Sequence, residues 1–321
     1  MLPIKLNIPK KFFKEELRDG YLVTEDVKKL WAIQLDLLNE LIDVCKRNDL
    51  KVFVDSGTLL GTIRHKGFIP WDNDVDVIML RPDYEKLCKI AKKELKKPYF
   101  LQTMYNDKGY AHLHAKLRNS ATTGIMKVEA ESGISYNQGI YIDVFVLDYV
   151  PNEGEDRASK KERIDYMNAV EIERRKLYHL MRATVNYRVR RDKYMVQTDF
   201  LRSIADVSNK TYEEICQEQA IVCDKVIKET GIRPTDRLYT HEFFSWRERH
   251  FFDPKWFRKV KYAKFEMLKV PIPVDYLNVL ETWYGKEWQT PIIGAHALHG
   301  NMIVDAEKSY KAYIKEQNKN G

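Results

Sequence analysis

Apolar residues recur three or four apart between Val27 and Cys45, at Val27, Leu30/Trp31, Leu37/Leu38, Leu41/Ile42 and Val44/Cys45. That period belongs to an amphipathic helix. Thr24 can cap it, and Glu25 and Asp26 suit the positive end of its dipole, so the spacing predicts a helix over about 25–47. The pattern then shortens. KVFVDS reads as a strand over 51–55, ended by Gly57, and TLLGTIRH suits one or two helical turns. GFIPWDN is a loop and DVDVIML a second strand, followed by a turn at Arg81-Pro82 and a helix from Asp83. YFLQTMY, HLHAKLRN and GIYIDVFVLDYV add three strand-like segments.

Pro151, Asn152 and Gly154 mark a break, after which Ser159 and Glu162 form a capping box that opens helical, charged sequence to about Thr230. The tail returns to mixed character. The expected fold is therefore α/β (α+β), with a mixed sheet and a helical insertion. Residues 1–150 form the expected core, 155–230 a helical insertion or lobe, and 231–321 a segment packing back on the core.

Composition changes this picture little. The chain has 321 residues, 44% of them hydrophobic, which suffices for a sizeable core. No run approaches the 18 or so apolar residues of a membrane span. The N-terminus lacks the apolar region of a signal peptide, so the expected location is cytoplasmic, with Cys45, Cys88, Cys216 and Cys223 as reduced thiols. Cys216 and Cys223 fall on one helix face with Tyr212, Ala220 and Val226, which points to core packing. A zinc reading would have to borrow His112/His114 or His296/His299. The net charge of +7 is concentrated over 176–193, where Lys176, Arg182, Arg188, Arg190, Arg191 and Lys193 face a single acid, Asp192. Such a tract is a solvated helix face or a surface for anionic partners, including the inner face of a membrane. No helix-turn-helix, zinc finger or RNA-binding signature accompanies it, so no nucleic-acid partner is expected.

The chemistry gathers in GTLLGTIRHKGFIPWDNDVDVIML, residues 57–80. On a strand, Asp74 and Asp76 would share a face roughly 6–7 Å apart, with Val75 and Val77 turned into a core. Carboxylates held this way clamp a divalent cation, and their hard oxygens favour Mg²⁺ or Mn²⁺. An EF-hand starting at Asp72 fails, because its sixth and twelfth positions are Val77 and Asp83. A solvated strand end without function is the bland alternative. Against it, Gly57-Thr58 offers a turn and helix start for a phosphate, and Arg64, His65 and Lys66 lie between that turn and the acids. A strand, a Gly-Thr turn, a helix and then Asp-hydrophobic-Asp on the next strand is the order found in polymerase-β-type nucleotidyltransferases. A third acid there comes from a later strand, and Asp143 in YIDVFVLD fits, with Asp148 as runner-up.

These residues also resemble the LicD family, whose hallmark block runs through GTLLG, RH, GF, IPWD and the acidic triplet; residues 57–77 carry nearly all of it. Ile42, Asp43 and Cys45 before the block, and Lys116, Arg118 and Thr122/Thr123 after it, resemble the family too. So do GIYIDVFVLD and the closing VPIPVDYLNVLETWYGKEW. Asn73 departs from the pattern by replacing the triplet's middle acid, and 155–230 has no matching motif. The resemblance implies transfer of a phospho-substituent, phosphocholine from CDP-choline, to a hydroxyl of a cell-surface glycan or its lipid-linked precursor, such as lipopolysaccharide, teichoic acid or capsule, with CMP leaving. Ribitol phosphate, phosphoethanolamine and aminoethylphosphonate are alternative groups; relatives such as the fukutin-related proteins move ribitol phosphate. It further implies that Asp74, Asp76 and Asp143 are catalytic and hold Mg²⁺ (or Mn²⁺). Gly57, Thr58, Arg64, His65, Lys66, Lys116 and Arg118 become the expected donor-binding set, and the Tyr/Trp-rich tail a source of rings for a quaternary ammonium.

Three other classes compete. A glycosyltransferase using the same acidic pair would place several βα units before it, and here one strand precedes it. A nucleotidyltransferase would leave NMP on the acceptor, and a binding protein would not need three acids at matched positions. A kinase would carry a GxxxxGK[ST] loop, which is absent from the sequence.

Overall fold

A computed structural model describes residues 2–127, 134, 136–152, 154, 156–189, 195–231, 234–241, 250–292 and 302–320. The first element after a short 3-10 turn is a hairpin, β1 (Glu16–Arg18) and β2 (Tyr21–Val23). Then comes α1 (Glu25–Arg47), with its predicted bounds and with Thr24 Oγ1 accepting from the Val27 N–H. In the middle of α1, Leu30, Trp31, Ala32, Ile33, Leu35, Leu37 and Leu38 are all buried, so the helix is enclosed on every side and not only along the predicted stripe.

The next elements are β3 (Phe53–Val54), α2 (Ser56–Arg64), β4 (Asp76–Leu80) and α3 (Arg81–Glu94). Two expectations are corrected here. The strand expected over 51–55 is only two residues long, because Ser56 adopts a left-handed φ of 47° and the chain turns at once into α2. The turn expected at Arg81-Pro82 is the first turn of α3, where a proline is tolerated because that N–H has no helical partner.

Strands β5 (Tyr99–Gln102), β6 (Ala115–Asn119), β7 (Thr123–Met126) and β8 (Ile140–Tyr149) follow, then the helices α4 (Arg157–Val189), α5 (Met195–Ser208) and α6 (Tyr212–Gly231). Asp156, not Ser159, caps α4: its Oδ1 accepts from the Ala158 and Ser159 N–H groups at 2.9 and 3.0 Å. The chain ends with β9 (Leu238–Tyr239), the hairpin β10 (Val260–Phe265) and β11 (Leu268–Pro273), α7 (Tyr276–Tyr284), β12 (Met302–Asp305) and α8 (Tyr310–Asn320).

The central sheet is mixed, in the order β3-β4-β8-β6-β5, with β9 also pairing β8. Only β4 and β8 run parallel; the other pairs are antiparallel. The sheet, α1 and the β10-β11 hairpin bury one continuous core. Helices α4 and α6 bury two smaller clusters, one with Cys223 against Val150 and Tyr239 and one with Cys216 against Met104 and Ala111, so both cysteines are core residues. Of the basic tract, Lys176 and Arg182 are exposed on α4, where Lys176 pairs with Glu173 and Arg182 lies over Tyr178. The Arg188 side chain and residues 190–193 lie outside the described residues. Among the described residues no helix is long and apolar enough to cross a membrane.

Candidate active site

Strand β8 alternates. Ile140, Ile142 and Val144 are buried in the core, while Tyr141, Asp143 and Phe145 turn to a cavity of about 640 Å³. Asp76 opens β4 beside it, and its parallel register partner on β8 is Asp143, so two acids from distant parts of the chain stand on adjacent strands. Asp72 and Asp74 line the same cavity from the loop that leads into β4.

That loop is held from below by α1. Trp31 Nε1 donates to the Asp72 carbonyl at 3.1 Å, and Gln34 Nε2 to the Asn73 carbonyl at 2.8 Å. The Thr58 hydroxyl accepts from the Asp76 N–H at 2.9 Å and pins the acid to the first turn of α2. Gly57 leaves room for an acid: a Cβ there would stand 2.6 Å from Asp72 Oδ2 and would displace that carboxylate. A strand running unbroken from Asp72 to Asp76 would turn Asn73 away from the Asp74/Asp76 pair, and that is not what the chain does. Residues 72–75 precede the strand, so strict alternation does not reach them, and Asn73 lines the cavity with its neighbours.

The electrostatics are uneven. Burial pushes the Asp76 carboxyl well above its ordinary range, and the negative charges of Asp74, Asp143, Asp72 and Asp55 push the same way. Asp72 is also raised, by burial, though hydrogen bonds from Asp74 and from the Asn73 and Asp74 N–H groups oppose this. Burial acts upward on Asp143 too, but Lys116 and His114 outweigh it and hold that carboxyl well below the usual range. Lys116 Nζ donates to Asp143 Oδ1 at 2.5 Å, and His114 Nε2 meets the same oxygen at 2.7 Å.

The expected donor-binding residues divide. Gly57, Arg64 and Lys116 line the cavity. Arg64 donates to the Trp288 carbonyl at 2.9 Å, which ties α2 to the far wall. Thr58, His65, Lys66 and Arg118 are not lining residues. His65 meets Asp19 at 3.3 Å, and Lys66 Nζ turns back to the Ile63 carbonyl at 2.8 Å. Arg118 is buried at 2% exposure and donates to Gln102 and to the Gly139 carbonyl, so it braces the sheet. On β6, alternation puts residue 118 on the same face as Lys116, but two positions further from the acids. Asp148, the runner-up acid, is bonded through both oxygens to Arg81 at 2.7 Å.

The opposite wall comes from the tail: Trp283, Tyr284, Glu287, Trp288 and Ile292. Trp283 Nε1 donates to Asp55 Oδ1 at 3.0 Å. Burial raises the Tyr284 hydroxyl, and Asp55, Asp76, Asp72 and Asp74 raise it further, so this ring sits within the field of the acid cluster. Trp71 both packs, edge-on to Tyr21 and His65, and lines the cavity. Sequence reasoning did not single out Gln34 or Glu287, and named His114 only as a residue a zinc site would borrow. Two signals were present: His-x-Lys at the start of a strand, and a lone glutamine inside the apolar run LWAIQLDLL.

Comparison with known proteins is consistent with this layout. Residues 49–189 match the LicD/FKTN/FKRP nucleotidyltransferase domain. A stretch of 120 residues, 37% of this chain, is 32% identical to the lipopolysaccharide cholinephosphotransferase LicD of Haemophilus influenzae, covering 43% of that protein. Uncharacterised proteins of Rickettsia prowazekii and Rickettsia typhi are each 38% identical, over 54 and 68 residues, covering 20% and 22% of their lengths. The chain thus spans less than half the length of the curated relatives it matches.

Proposed function

We propose that this chain, whose residues 49–189 match the LicD/FKTN/FKRP nucleotidyltransferase domain, transfers phosphocholine from CDP-choline to a hydroxyl of a cell-surface glycan or its lipid-linked precursor, releasing CMP. The observation that carries this reading is the group of four acids, Asp72, Asp74, Asp76 and Asp143, lining one cavity with the first turn of α2. An all-carboxylate donor set with Asp76 pushed up by burial and by its acidic neighbours suits a hard divalent cation. Asp74 and Asp76 would hold Mg²⁺ or Mn²⁺, and Asp143 would complete the set. Among the described residues no three His, Cys, Asp or Glu side chains converge as a ready cage. Donor phosphate oxygens would then fill the remaining coordination, as is usual for Mg²⁺. When bound, the ion supplies neutralisation of the diphosphate and of the oxygen that leaves with CMP.

The chain's own residues do the rest. Arg64 and the backbone N–H groups at the start of α2 orient the diphosphate. Asp143, kept ionised by Lys116 and His114, accepts a hydrogen bond from the acceptor hydroxyl and so orients it, and the hydroxyl proton passes to solvent water as the bond to phosphorus forms. The bond from phosphorus to the CMP oxygen breaks, and CMP leaves with that electron pair. Tyr284 and Trp288, with the Glu287 carboxylate beside them, favour a quaternary ammonium over a neutral polyol on this donor. The similarity to a cholinephosphotransferase supports the same choice.

The test is CMP release from CDP-choline, CDP-ethanolamine and CDP-ribitol, with Mg²⁺ and a lipopolysaccharide acceptor. CDP-choline should be used best. A chain that released CMP from none of the three would sink the reading, and release of UDP from a UDP-sugar would replace it with glycosyl transfer.

A further inference from the structure

Asp76, Asp143 and Lys116 stand at one level on three neighbouring strands. Asp143 is the register partner of Asp76 on β4 and of Lys116 on β6. Strands lie about 4.8 Å apart, so the row sets two acids and an ammonium side by side. The middle acid is already engaged, because Lys116 Nζ donates to its Oδ1 at 2.5 Å and His114 Nε2 meets that oxygen at 2.7 Å. Lys116 is only 8% exposed and lies 3.7 Å from the centroid of the Tyr141 ring, yet it lines the cavity beside both acids.

A buried ammonium is costly unless its charge is used. A neutral residue at 116 would leave Asp143 Oδ1 with His114 but without a fixed positive charge beside it. With lysine there, an incoming cation must compete for Oδ1 with a charge the chain itself supplies. We propose that Lys116 is a built-in counter-cation that exchanges with the divalent ion: it occupies Asp143 Oδ1, yields that oxygen to the ion, and turns its ammonium onto the donor phosphate in the same cavity. No covalent bond changes; one ion pair is traded for two. The exchange makes ion and donor mutually supporting, since the ion frees the lysine and the lysine then helps to hold the donor. This inference rests on the metal reading above.

The test measures Mn²⁺ binding to the full chain by calorimetry, and by paramagnetic resonance of free Mn²⁺, with and without CDP-choline. Lys116→Met removes the competitor, so Mn²⁺ alone should bind at least about tenfold tighter than to wild type. CDP-choline should tighten Mn²⁺ binding less in this variant than in wild type, because the donor's phosphate oxygens still reach the ion but no competing lysine remains to be released. Lys116→Arg keeps the charge and should bind Mn²⁺ no tighter than wild type. Lys116→Gln repeats the comparison with a polar side chain in case the methionine variant does not fold. Equal or weaker Mn²⁺ affinity in the neutral variants overturns the exchange and leaves the metal reading standing. A wild-type chain that binds no Mn²⁺, with or without the donor, overturns both.

Discussion

At one end of β8, Asp143 faces a cavity with Asp72, Asp74 and Asp76; five residues along the same strand, Asp148 is locked into a buried ion network. The second end is neutralised in detail. Arg81 holds Asp148 through two bonds of 2.7 Å and reaches Asp224 at 3.0 Å. Lys228 bridges Asp224 and Glu85, and the Tyr105 hydroxyl donates to Asp224. Burial would lower the affinity of Arg81 for its proton, but Asp148 and Asp224 raise it far more. This network ties α3, β8 and α6 together, so it joins the helical segment to the sheet. At the first end the charges acting on Asp76 are other carboxylates, and all of them push it upward. Acids matched by cations stabilise a fold, whereas acids crowded together in a cavity store repulsion that a cationic ligand can relieve.

The comparison can be broken by mutation at either end. Asp76→Ala should lower donor turnover on the order of 10³-fold. The melting temperature should stay level or rise, because one member of a repelling group is gone; a large fall in melting temperature would make Asp76 structural. Arg81→Met should do the reverse. It leaves Asp148 and Asp224 buried with a cation missing, which should cost about 3–5 kcal/mol in urea unfolding. Mn²⁺ affinity in the still-folded protein should barely change. If Arg81→Met unfolds no more easily than wild type, the two ends differ less than the geometry indicates.

Smaller effects sharpen the picture. Asn73 is held through its backbone: its carbonyl accepts from Gln34, and its N–H donates to Asp72 Oδ1 at 3.0 Å. Asn73→Asp keeps both bonds, so turnover should stay within a few-fold, as measured by CMP release. A hundredfold change would show that the side chain takes part directly. The smallest expected signal is at Cys45. It is 1% exposed in the core, and burial, helped by Asp83, pushes its thiol up to about 12. At pH 8 it should not react with a maleimide until the protein unfolds, and mass spectrometry of labelled peptides reads this directly.

Much of this was legible in the residues. The helix over Glu25–Arg47 and the alternation of β8 follow from period alone, because each depends on neighbours along one element. The acids Asp74, Asp76 and Asp143 could be picked out because charged residues at the mouths of apolar strands break a core pattern. Alternation even separates Asp143 from Asp148: counting in twos, residue 148 shares its face with buried Ile142, Val144 and Val146. What spacing could not supply was partners. That Asp148 meets an arginine 67 residues earlier, that Arg118 is spent on Gln102, and that Lys116 lies on Asp143 are all set by strand order. The Trp283–Trp288 wall comes from a segment more than 200 residues downstream of Asp76. Local pattern determined which elements form and which residues are chemically out of place. Tertiary structure decided which charges meet, because a contact between distant segments depends on the packing of everything between them, and no local period encodes that.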